Sequence, residues 1–192
     1  MAALSISGLQ TKLNTRLNDS TDRTFTSSEK TEFLTSAIND EHVFDIIRDE
    51  SITTVAQQSS YDVSGTGISD LTDVAIDTLG DGYPDPIDRD AYEVIGDNLY
   101  FDMAHRGIPD GKTMILTGKQ KLTASDSIPE FLHEYVLTLA TIEGYRLLSA
   151  TYTTRFLKND VTLAEILQNI RDLENKANQL RVNLRNRRAV RS

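Results

Sequence analysis

The chain has 192 residues, 39% of them hydrophobic, enough to bury one core and short for two independent domains, so the expectation is one domain with extensions. It has no cysteine, which excludes disulfides, thiolate metal sites and a cysteine nucleophile. The formal net charge is -9, yet the last twelve residues carry Arg181, Arg185, Arg187, Arg188 and Arg191 and no acid, leaving residues 1–180 at about -14: an acidic body with a basic tail. Binding a nucleic-acid backbone requires clustered Lys and Arg to displace counterions, so the body does not suit that task; the tail could touch nucleic acid or simply be a solvated terminus. Met1–Ile6 lacks a basic region followed by an apolar run, and nothing approaches the roughly 20 apolar residues of a membrane span. A soluble protein made in the cytoplasm, with no membrane partner, is expected.

Leu9, Leu13 and Leu17 recur every four residues and predict a first helix over Ser7–Asn18. Thr26 with Glu29 forms a capping box ahead of Phe33, Leu34, Ala37 and Ile38, predicting a second helix that continues, after a break near Asn39–Asp40, through Val43, Phe44, Ile46 and Ile47. From Ser51 the composition turns β-branched and aromatic, with strands expected at Ile52–Val55, Tyr61–Val63 and Asp73–Thr78. Gly80–Pro86 reads as a loop, and Tyr92–Ile95 with Asn98–Asp102 flank Gly96–Asp97 at the spacing of a two-residue hairpin. A strand over Lys112–Lys119 follows the turn at Pro109–Gly111. Ser127 and Glu130 match a second capping box, with Pro129 in the tolerated first turn, before a helix apolar over a wide face from Phe131 to Leu148.

The last helix is the most regular segment. Leu163, Ile166, Ile170, Leu173, Ala177, Leu180 and Leu184 alternate spacings of three and four, a heptad seam flanked by charge. Two readings of this seam stand: it packs on the helix that begins near Ser127 in the same subunit, or it is an arm that docks a neighbouring subunit or partner. The fold class expected is α+β, mainly helical: an N-terminal helix pair and two long C-terminal helices around a strand-rich insertion with a β-hairpin. The domain reading is a helical core over 1–158 with the β insertion at about 51–123, then a C-terminal helical arm and basic tail over 159–192.

Little in the chain suggests catalysis. Asp81, Asp85, Asp88 and Asp90 form an acidic loop that could offer oxygen ligands to a hard cation, but it departs from EF-hand spacing and reads better as solvated. His42, His105 and His133 form no ligand pair, and position 137 after His133-Glu134 is Leu, so no zinc string forms. Ser64-Gly65-Thr66-Gly67 lacks the Gly-Lys-Ser/Thr ending of a phosphate loop, and G-x-S-x-G is absent. No catalytic, cofactor or metal residues are assigned.

The order of elements, with the strings Phe25-Thr26-Ser27-Ser28-Glu29-Lys30-Thr31-Glu32-Phe33-Leu34-Thr35-Ser36-Ala37-Ile38, Ser60-Tyr61-Asp62-Val63 and Ser127-Ile128-Pro129-Glu130-Phe131-Leu132-His133-Glu134-Tyr135, resembles the head-tail connector (adaptor, or head-completion) family of tailed bacteriophages. The likeness spans most of the chain and rests on pattern; the long middle, roughly Gly65 to Arg106, departs from the compact members. The resemblance implies a non-enzymatic virion protein of the neck, assembled in the host cytoplasm as a ring, usually of twelve, below the portal. It implies the portal and a downstream stopper, neck or tail protein as partners, with genomic DNA passing through the lumen without sequence-specific binding. A C-terminal segment that docks the portal would here be the helix from Thr162 and the tail through Arg191. The portal or subunit interface then comprises the seven seam residues named above with Arg185, Arg187, Arg188 and Arg191. Readings from other classes are a soluble coiled-coil interaction module, a stopper or tail terminator, and a small enzyme in which Asp85 or Asp88 meets a histidine.

Overall fold

A computed structural model describes residues 3–102, 108–151 and 162–189, the last five of these as backbone only. The chain folds as two compact units, residues 1–43 with 122–192, and residues 44–121. His105, Arg191 and the expected boundary between 158 and 159 lie outside the described residues.

The first unit is helical. Helix α1 (Ile6–Arg16) begins at Ser5, whose hydroxyl accepts the Gly8 N–H, and buries Leu9 and Leu13 as their spacing requires. Helix α2 (Ser27–Ile38) begins at the expected capping box: Thr26 Oγ1 accepts the Glu29 N–H and Glu29 accepts the Thr26 N–H. It ends at Asn39, after which Asp40 holds an Asx turn by accepting the His42 N–H. Helix α3 (Glu130–Ala150) is buried on several sides, at Leu132, Tyr135, Val136, Leu137, Ala140, Ile142 and Leu148. Helices α1 and α2 and the last helix, α4 (Leu163–Ala189), all pack on it, which is why α3 is apolar over so wide a face. Gly144 on α3 lets Leu17 approach closely: a Cβ there would lie 3.1 Å from Leu17 Cδ2.

Two expectations at helix boundaries are corrected. The second capping box does not form: Pro129 is the N-cap of α3 and no side chain caps it. The chain after Val43 is not helix but the first strand, β1 (Phe44–Thr53), paired with a segment some seventy residues later in the sequence. Short helical and strand periods cannot be told apart in Phe44–Ile47 without that partner.

The second unit is antiparallel β. Strands β1, β3 (Asp70–Asp77), β4 (Asp85–Pro86) and β7 (Thr113–Lys121) form a sheet in the order β1-β7-β3-β4, while β2 (Ser60–Asp62), β5 (Tyr92–Ile95) and β6 (Asn98–Phe101) form one in the order β2-β6-β5. The β5–β6 hairpin has the expected two-residue turn, with Gly96 at φ 59°. One core joins the two sheets, built from residues such as Tyr61, Val74, Ile76, Tyr92, Leu99, Phe101, Met114 and Leu116, with Tyr61 and Phe101 edge to face at 5.8 Å. Phe44 pairs with Lys121, so the strands by which the chain joins and leaves this unit run side by side. An insertion with that root can grow or shrink without separating the two points at which the helical unit is interrupted. Among the described residues helices stand beside two antiparallel sheets, so the fold is α+β as expected, with a strand-rich middle and no clear helical predominance.

Candidate interaction surface

The heptad seam of α4 faces the chain's own helical core. Ile166, Ile170, Ala177 and Leu184 are buried in it, and Leu173 and Leu180 pack against it half-buried. Leu163, at the first turn, is 40% exposed. The large hydrophobic side chains that α4 exposes among the described residues are Leu163, Leu167 and Val182. Arg185, Arg187 and Arg188 continue the helix, their side chains lying outside the described residues, as does the whole of Arg191. Of the eleven residues expected at an interface, the structure therefore brings six together on α3 in the same chain.

Ion pairs register α4 on its neighbours. Glu134 on α3 stands between Arg16 of α1, with which it pairs closely, and Lys176 of α4 at 2.6 Å. Burial would raise the Glu134 carboxyl, but Lys176 and Arg16 outweigh it and hold the pKa below the usual value. Arg146 of α3 reaches Glu174 of α4 at 2.8 Å, and burial together with Asp40 pushes the Tyr135 phenol well above its ordinary range. Beside this network, Glu130, Phe131, Glu134, Tyr135, Leu180, Asn183 and Leu184 line an open groove of about 520 Å³ between the start of α3 and the end of α4. The start of α4 carries a Thr162–Glu165 capping box: Thr162 N–H donates to Glu165 and Glu165 N–H to Thr162 Oγ1. The same T-x-x-E spacing that marks α2 could have located it.

The other sequence candidates separate. In the acidic loop, Asp77 accepts the N–H groups of Gly80, Asp81 and Gly82, Asp81 accepts that of Tyr83, and Thr78 donates to Asp85. The carboxylates thus shape the loop, and among the described residues no three carboxylates or imidazoles group closely enough to hold a metal ion. His133 is buried, its Nε2 2.8 Å from the Ile128 carbonyl oxygen; His42 lies beside Glu41. Ser64–Thr66 is a single 3-10 turn.

A charged cluster missed by the sequence reading lies before α2. Lys30 is fully buried, with Nζ 3.0 Å from Asp19 Oδ2 and 2.6 Å from Asp22 Oδ1, and donates to the Asp19 carbonyl. Asp19 also accepts the N–H groups of Arg23, Thr24 and Phe25. The Lys30 ammonium and both Asp19 carboxylate oxygens are fully engaged, so the cluster pins the α1–α2 loop. Its position in a polar loop and on a charged helix left no periodic signal to read.

Among the described residues no helix is long and apolar enough to cross a membrane. The sequence matches no protein-family profile, and no curated protein is significantly similar to it.

Proposed function

We propose that the chain is a structural adaptor subunit of a tailed-phage neck, one copy of a ring seated below the portal that continues the DNA channel and presents a platform to the next neck or tail protein. The observation that carries this reading is the architecture of the described residues: a helical unit in which α1, α2 and α4 pack on α3, interrupted by an antiparallel β unit rooted through the paired strands β1 and β7. It supports the order of elements on which the sequence resemblance rests. A ring that lets DNA slide should not grip phosphate, and an acidic body serves that end.

In this reading the seam of α4 is a structural element of the subunit. Contacts with the portal or a neighbouring copy fall to the rest of the helix, including Leu163, and to the arginines from Arg181 to Arg191. Seam burial also weighs against the coiled-coil module, because a homotypic coiled coil would first have to strip α4 from α3.

The test is the solution mass of the full-length chain by light scattering, alone and mixed with the portal of the same virion. A ring-sized species, formed alone or on the portal, is the expected result. A dimer, trimer or monomer that ignores the portal would overturn the assignment.

A further inference from the structure

Charge is divided unevenly between the units. Residues 44–121 hold fifteen Asp and Glu against six Lys and Arg, which accounts for the entire net charge of -9 and leaves the helical unit neutral overall. Within that neutral unit, residues 181–192 hold five arginines and no acid. The chain therefore carries two stretches of opposite charge on different parts of its sequence.

In the β unit the three-stranded sheet carries acids without any base. Strands β2, β5 and β6 and the Gly96–Asp97 turn contain no Lys or Arg. Pairing sets Ser60 and Glu93 on either side of Tyr100, and Asp62 and Ile95 on either side of Asn98, so these six side chains share one face. The opposite face supplies Tyr61, Tyr92, Leu99 and Phe101 to the core. On the outer face Ile95 is 57% and Tyr100 40% exposed. Glu93, and Asp97 in the turn beside it, have no cation or hydrogen-bond donor on their carboxylates among the described residues. The acidic loop at 77–85 also exposes apolar side chains, Leu79 and Tyr83, but its carboxylates are occupied by its own backbone and hydroxyl donors.

We propose that this face receives the arginine-rich C-terminal end, residues 181–191, of a second copy of the chain. The chemistry matches on both counts. Guanidinium groups suit unpaired carboxylates and the face of Tyr100, and Val182, 55% exposed beside Arg181, offers an apolar surface to Ile95. The contact joins two different patches, so it is heterologous and propagates from copy to copy until rotation closes it. It rests on the ring reading above and assigns that ring a subunit contact.

Two full-length variants test it: Glu93→Lys with Asp97→Lys, and Arg185→Glu with Arg187→Glu, Arg188→Glu and Arg191→Glu, which turns the tail from +5 to -3, each followed by sedimentation velocity across a concentration series. Each alone should self-associate roughly tenfold or more weakly than the parent, because like charges then face each other. Mixed in equal amounts they should regain the parent's association, since in an alternating assembly every contact pairs opposite charges. The parent's association should also fall between 0.1 M and 1 M salt as the screening length drops from about 10 Å to about 3 Å. A mixture no better than its components would overturn the proposal, and a tail folded back on its own β unit would give that result. A parent that associates while both reversals leave it unchanged would overturn this contact and leave the ring reading standing. A parent that stays monomeric with and without the portal would overturn both.

Discussion

Lys30→Met is the most informative single perturbation of the helical unit. Methionine approximates the length of the lysine side chain, so packing is largely kept while the charge is removed. Asp19, which is 3% exposed, would then keep the amides of Arg23, Thr24 and Phe25 but lose the Lys30 cation. Removing one partner of a buried pair costs about 3 to 5 kcal/mol, and the three remaining donors place this case near the lower end, about 3 kcal/mol. For a chain of this size that corresponds to a fall in Tm of about 6 to 12 °C. Asp22→Asn, whose side chain is 47% exposed, should cost under about 1 kcal/mol. The pH dependence has a definite sign. Burial alone would raise Asp19, but the Phe25 and Thr24 amides and Lys30 outweigh it and lower its pKa below 3.8. Its contribution is therefore present above the unfolded carboxylate value and is lost as pH falls through the lowered folded value. Burial alone would lower Lys30, but Asp22 and Asp19 outweigh it and raise its pKa above 10.5, so its contribution is present below that value and is lost as pH rises through the raised one. In the variant, Asp19 has no lysine to depress its pKa, so the gap to the unfolded value narrows and the acid-dependent loss of stability that Asp19 contributes should be smaller than in the parent. Urea unfolding followed by circular dichroism at 222 nm, at pH 7 and at intervals down to pH 3, measures both effects. A Lys30→Met protein within about 1 kcal/mol of the parent at pH 7 would refute the account of the cluster as a buried, mutually dependent pair.

Two further predictions separate packing from surface. Ile166→Ala empties a fully buried seam position and should cost about 2 to 5 kcal/mol, whereas Leu163→Ala at the exposed first turn should cost well under half as much; paired denaturant titrations decide it. Equal losses would mean that the first turn is packed as tightly as the seam. Gly118→Ala on β7 would place a methyl 2.6 Å from the Asp70 carbonyl oxygen and against the Ile68 side chain, beside the register shift between Leu71 and Asp73. Loss of at least about 2 kcal/mol, with weakened hydrogen-exchange protection on β3 and β7, is expected, and full protection would contradict the close approach.

Local signals in the sequence determined several parts of this protein. The Thr26–Glu29 capping box, the Gly96–Asp97 hairpin and the Leu9–Leu13 stripe are each settled by interactions within a few residues, and each appears where its pattern places it. The heptad seam of α4 was equally legible as a stripe, but a stripe states only that a partner exists. Tertiary structure supplied that partner, α3, and so turned six of the residues expected at an interface inward. It also decided that Phe44–Ile47 is strand, because the pairing strand β7 lies far along the chain, and that Ser127 caps nothing. The buried Lys30 shows the same limit: its charge reads as surface in the sequence, and only the fold of the α1–α2 loop brings Asp19 and Asp22 close enough to make burial tolerable. Short-range hydrogen bonds and periodicity are written locally, whereas the choice of partner for a strand, a stripe or a charge depends on contacts between residues distant in sequence.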